Sequence, residues 1–193
     1  MRPYFAFAAA ATALIAGTAC AAPVVYSLNK DHTDVVFEVS HFGFSNKHGW
    51  FRDMSGTLNL DTDKPEGASV SVTIKTASID TNHAKRDQDL SGPPFLNVAQ
   101  FSDMSFVSTR VVKTGVDTAD ITGNLTLRGV TKPLLLHAKL NKIAPNPFDH
   151  TPTAGFRATG ALKRSDFGVS AFLPMIGDDV AITIDAEFSA AKP

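Results

Sequence analysis

The chain has 193 residues, 44% of them hydrophobic, with a formal net charge of −1 and a single cysteine. That length suits one domain. The balanced charge, without any basic tract, argues against nucleic-acid binding and against a polybasic membrane patch, and one cysteine cannot build an intrachain disulfide framework.

In chain order, Arg2 precedes an apolar run from Phe5 to Ala16 broken only by Thr12, and small residues follow from Gly17 to Ala22. This is the pattern of a secretory signal peptide, with Ala19-Cys20-Ala21 as its cleavage site. Residues 1–21 are therefore expected to be removed, leaving 22–193 as one domain. The apolar run is too short for an integral membrane span. A lipid-modified Cys20 is the alternative, but Gly17 stands where a lipoprotein usually has leucine. Cleavage after Ala21 removes the only cysteine and, with Arg2 gone, leaves a formal charge of −2.

Eight alternating segments follow, bounded by Gly, Pro, Asn and Asp. Their apolar faces begin with Val35-Phe37-Val39, Leu58-Leu60, Val70-Val72-Ile74 and Met104-Phe106, the last blurred by Val107. They continue with Ile121-Gly123-Leu125-Leu127 and Leu134-Leu136-Ala138-Leu140. Phe156-Ala158-Gly160-Leu162 and Val180-Ile182-Ile184-Ala186-Phe188 complete the set. One polar stretch, Thr81 to Leu90, reads as a helix capped by Thr81 or Asn82 and stopped by Gly92-Pro93-Pro94. The expected fold class is all-β: an eight-stranded antiparallel barrel or sandwich, with one short helix across an end.

A closed barrel hides one apolar face and leaves no sheet edge. It can be filled by its own side chains or hold one ligand. Small residues at Gly123, Ala138, Ala158, Gly160 and Ala186 favour a cavity, whereas small residues opposite large ones also make an ordinary packed core. No nucleophile elbow, phosphate loop or dinucleotide fingerprint occurs, and the six histidines lack metal-ligand spacing. Asp61-x-Asp63 reads as a turn, and Asp178-Asp179 as a loop. Asp80, Asn82, His83, Arg86 and Asp87 form the densest polar cluster. They are expected either to fix the helix to the barrel or to meet a ligand's polar head. An enzyme acting on a lipid head through His83, Arg86 and Asp87 is a less favoured reading, as is a stress-related interaction protein with incidental lipid.

Several motifs occur together in order. Ser78-Ile79-Asp80-Thr81-Asn82-His83-Ala84-Lys85-Arg86-Asp87 is followed by Phe95-Leu96-Asn97. Asp34 to Gly43, Gly123 to Pro133 and Gly155 to Gly168 complete the pattern. Over roughly Val25 to Phe188 the chain resembles the YceI-like family. The resemblance implies a lipocalin-like eight-stranded barrel exported to the periplasm, binding a polyisoprenoid or quinone tail or another long amphiphile, with no catalytic residues. On this reading the chain is not an enzyme and has no catalytic cofactor; its bound group is an isoprenoid lipid or isoprenoid quinone. The expected lipid contacts are Phe37, Phe42, Phe44, Trp50, Phe51, Val72, Ile74, Phe95, Phe101 and Phe106. Leu125, Leu136, Phe156, Ala158, Phe167, Phe172, Ile182 and Ile184 complete that set. A homodimer that buries the aromatic rim is a further expectation.

Overall fold

The computed structural model describes residues 23–190; the expected signal peptide and Cys20 lie outside them. The strands are β1 (Val24–Leu28), β2 (Asp34–His41), β3 (Ser45–Phe51), β4 (Met54–Leu60), β5 (Ser69–Lys75) and β6 (Ile79–Asp80). After α1 (Ala84–Ser91) come β7 (Asp103–Lys113), β8 (Thr118–Leu127), β9 (Val130–Pro145), β10 (Pro152–Lys163) and β11 (Ile176–Ala190). All neighbouring strands pair antiparallel.

A ring closes in the order β1-β4-β5-β7-β8-β9-β10-β11, with β11 returning to β1. The other three strands are continuations of ring strands. β1 and β2 run one after the other along β11, which pairs Phe188 with Leu28 and Asp185 with Asp34. β3 leads into β4 across Arg52-Asp53, and β6 extends β5 beyond a 3-10 turn at Thr76–Ser78. The barrel thus has eight walls, three of them broken. Each expected alternating segment supplies one wall, but β1 and β3 carried no segment of their own. Their sequences, Val-Val-Tyr-Ser-Leu and Ser-Asn-Lys-His-Gly-Trp-Phe, do not alternate cleanly.

The breaks are bonded. Thr76 is fully buried; its N–H donates to Ser102 O at 2.9 Å and its hydroxyl to Phe101 O at 2.6 Å. A bulge in β7 explains the blurred pattern there. Ser108 pairs with Gly123 and Arg110 with Thr122, so Thr109 is the extra residue. The bulge reverses parity: Met104 and Phe106 face inward before it, Val111 faces inward after it, and Val107 is exposed.

α1 starts three residues later than expected. Asn82 takes φ +56 and His83 is the cap, accepting the Arg86 N–H at 3.2 Å. Thr81 cannot cap because it is already engaged. Its N–H and hydroxyl donate to Asp87 at 2.8 and 2.5 Å, while Arg86 donates to its hydroxyl and carbonyl, both at 2.7 Å. Gly92 ends the helix as expected. Asp178 and Asp179 lie in β11 rather than a loop.

Two apolar clusters divide the interior. One, around Phe51, Ile79, Met104, Leu127, Leu134 and Phe167, lies under α1. The other, around Tyr26, Leu58, Ala154 and Phe188, lies toward the opposite end.

Candidate functional site

Inward alternation would bury these side chains completely if the barrel were filled. They are not. Val35, Phe37, Val72, Ile74, Ile182 and Ile184 all face inward and remain only half-buried. The open space between them is a cavity of about 460 Å³ with an almost wholly apolar wall. Its lining runs the length of the barrel, from Leu90, Phe95 and Leu96 under α1 to Ile143, Val116 and Pro65 at the other end.

Two glycines help to keep this lumen open. A side-chain carbon at Gly49 would lie 2.2 Å from the Phe37 ring, and one at Gly123 would lie 2.3 Å from the Phe106 ring. Each ring therefore lies against bare backbone instead of standing into the cavity. Gly123 gives its space to Phe106 rather than to a ligand, which corrects the expectation for that position. Gly160 likewise leaves no pocket: a side-chain carbon there would sit 2.8 Å from both Leu136 and the Leu135 carbonyl. Ala138, Ala158 and Ala186 do line the cavity.

Of the expected lipid contacts, Phe37, Phe51, Val72, Ile74, Phe95, Phe106, Leu125, Leu136, Phe156, Ala158, Ile182 and Ile184 line it. Six do not. Phe167 is only 2% exposed and belongs to the cluster under α1. Trp50 alternates with Phe51 and therefore faces outward, under the Arg52 guanidinium at 5.1 Å. Phe101 packs against Gly129. Phe42, Phe44 and Phe172 project outside the barrel, where they are exposed. Two physical reasons account for these six: five stand in connections or turns, where period-two alternation gives no direction, and Trp50 has the parity opposite to Phe51.

None of the polar cluster at Asp80, Asn82, His83, Arg86 and Asp87 is among the cavity-lining residues. Besides the Thr81 bonds, Asp80 accepts the Asn82 N–H at 2.9 Å and the Arg52 Nε–H at 3.0 Å. These two bonds hold its carboxyl below the ordinary carboxylate range.

A charged residue that sequence reasoning missed touches the lumen instead. Arg164 is 7% exposed and lines the cavity. Its guanidinium donates to Gly177 O at 2.7 Å, Val169 O at 2.8 Å, and Ala171 O and Ile176 O both at 2.9 Å. Burial pushes its pKa down, and nearby Asp178 opposes that shift. Asp178 in turn accepts the Ser165 N–H at 2.9 Å and its hydroxyl at 2.8 Å, and these bonds hold its carboxyl low. Lys163-Arg164-Ser165 gave no signal because an arginine beside a strand end reads as a solvated charge.

An apolar cavity with few polar groups, lined from one end of the barrel to the other, suits one elongated apolar molecule. Among the described residues no helix is long and apolar enough to cross a membrane.

Comparison with known proteins agrees with this architecture. Residues 26–188 match the YceI-like domain. A UPF0312 protein of Pseudomonas savastanoi pv. phaseolicola is 46% identical over 159 residues, which are 82% of each chain. The crystal structure of the Campylobacter jejuni YCEI protein superposes with a TM-score of 0.70 at 31% identity, covering 80% of this chain and 90% of that one. A polyisoprenoid binding domain from Saccharophagus degradans shares the fold, with a TM-score of 0.63 at 16% identity over 87% of this chain and 99% of that one. With a matched domain spanning most of its length and a close relative over four-fifths of it, this chain belongs to the YceI-like family.

Proposed function

We propose that this protein binds the tail of a long-chain isoprenoid-type lipid, a polyisoprenoid or an isoprenoid quinone, in its barrel and carries or stores it in the periplasm. The observation that carries the reading is the hollow apolar lumen, whose walls are inward-facing side chains left half-buried. Its volume of about 460 Å³ falls within the range of small-molecule sites. The description of the Saccharophagus degradans domain as polyisoprenoid-binding supports this choice of ligand. The amino-terminal sequence supports export.

The physical chemistry favours binding over catalysis. Each buried methylene contributes about 0.8 kcal/mol. Ordering a flexible chain offsets much of that gain. Selection by tail length is therefore soft, and the shape of the lumen discriminates more sharply than any hydrogen bond.

Native mass spectrometry of protein purified from its own compartment tests the reading, followed by extraction of any adduct. A discrete adduct that extracts as an isoprenoid chain supports it. A clean unliganded mass, with no uptake of added quinone, would overturn it.

A further inference from the structure

Three loop stretches at the helix end are free of charge. Residues 42–46, 90–102 and 167–177 contain no Asp, Glu, Lys or Arg. They also carry Phe42, Phe44, Phe172 and Met175, exposed at 48%, 92%, 59% and 50%. Phe42 and Phe172 have φ of +54 and +59, a conformation bulky side chains rarely adopt. Their loops are joined: the Phe42 N–H donates to Met175 O at 2.8 Å and the Ile176 N–H to Phe172 O at 2.9 Å. The turns that impose this conformation leave both rings exposed. Charged groups at this end lie beside the loops: Lys47, Asp103 and Asp178 follow them in sequence, Arg128 and Arg164 donate to their carbonyls, and others stand on α1 and at Lys132.

The opposite end also exposes apolar side chains, Val116 at 97% and Phe148 at 93%. There, however, each stands among charges. Asp117 follows Val116, Asp149 and His150 follow Phe148, and the third connection holds Asp61, Asp63, Lys64 and Glu66.

The apolar surface at the helix end continues into the barrel. Phe95 lines the cavity and stacks on exposed Phe172, with centroids 6.1 Å apart and planes at 25°. Taking roughly 200 Å² for a full side chain, the four exposed residues offer about 500 Å². A stable protein interface needs about 800 Å² per partner. Separate side chains projecting from uncharged loops fit among lipid headgroups better than against a second copy.

We propose that these loops dock on a lipid bilayer, and that lipid passes between bilayer and lumen at the Phe95–Phe172 contact. The proposal rests on the lumen being a lipid site. Two equally exposed phenylalanines at opposite ends make its test. The purified protein, Phe44→Ser and Phe148→Ser are floated with phosphatidylcholine vesicles. Uptake of a pyrene-labelled long-chain lipid is timed from vesicles and, separately, from a cyclodextrin complex. The unaltered protein and Phe148→Ser are expected to float and to load from vesicles. Phe44→Ser is expected to lose vesicle affinity about tenfold and to load normally from cyclodextrin. Flotation of Phe44→Ser equal to the unaltered protein, or equal loss in Phe148→Ser, would overturn the docking. A dimer dispersed by Phe44→Ser, without flotation of the unaltered protein, would overturn it in favour of a second copy. Failure to load from either source would instead overturn the lumen as a lipid site.

Discussion

At the helix end, α1, the 92–101 segment and the 165–176 segment lie across the barrel and are bound down by buried or shielded polar groups. Thr81 holds α1, Arg164 holds four carbonyls, and Arg128 donates to Pro93 O and Phe95 O. At the other end, three turns connect strands with charged side chains in water. The difference separates two tasks. The tied end presents apolar rings at fixed positions, while the other end presents hydrated charged side chains that need no unique geometry.

Removing Arg164 should break that contrast most severely. Arg164→Met leaves four carbonyls without their donor, and a loss of about 3–5 kcal/mol is expected. Urea unfolding measures it, and an unchanged midpoint would show the segment holding itself.

Narrowing the lumen comes next. Gly49→Ala forces the Phe37 ring off the wall and into the cavity, at an expected cost of about 1–3 kcal/mol. Lipid retained per protein should fall sharply while the strand content by circular dichroism persists. Full retention would mean that the ring moves elsewhere.

Acid should act on the tied end. Asp80, Asp103 and Asp178 all lie there and are held below the ordinary carboxylate range; Asp103 is held by the Lys75 ammonium, then by Ser102. A carboxyl lowered in the folded state adds stability above its unfolded value, near 3.9 for Asp. That contribution is lost as pH falls from there through the lowered folded values. Unfolding followed from pH 6 down to pH 2 should show a decline that begins near pH 4 and is shallower in Asp178→Asn. Identical slopes would show that Ser165 holds neither form preferentially.

The smallest effect belongs to the charged end. Lys139→Ala removes a 3.6 Å pair with Asp117 between exposed groups, and a change under about 0.5 kcal/mol is expected in thermal unfolding. A larger loss would mean that this end is also structurally tied.

Alternation alone revealed the eight walls and most of the lumen, because period two assigns every strand residue to one face. Val35, Ile74 and Ile184 needed nothing more. It failed where the chain leaves the ladder. Aromatic residues near strand ends suggest a rim around the lumen, but the loops turn Phe42, Phe44 and Phe172 outward instead. Gly123 promised room that Phe106 occupies from the neighbouring strand, and a local pattern cannot contain that contact.

The sequence by itself therefore determined the class of wall: strands apolar on one side, a polar helix ended by Gly92, and a family pattern that implies a lipid. Only the tertiary structure decided that the space is empty rather than filled. It also decided that Arg164 faces the lumen, and that three uncharged loop stretches gather at one end while the connections at the other carry charges. These properties depend on distances between residues far apart in the chain. Burial, pairing and exposure exist only once the eight walls have closed.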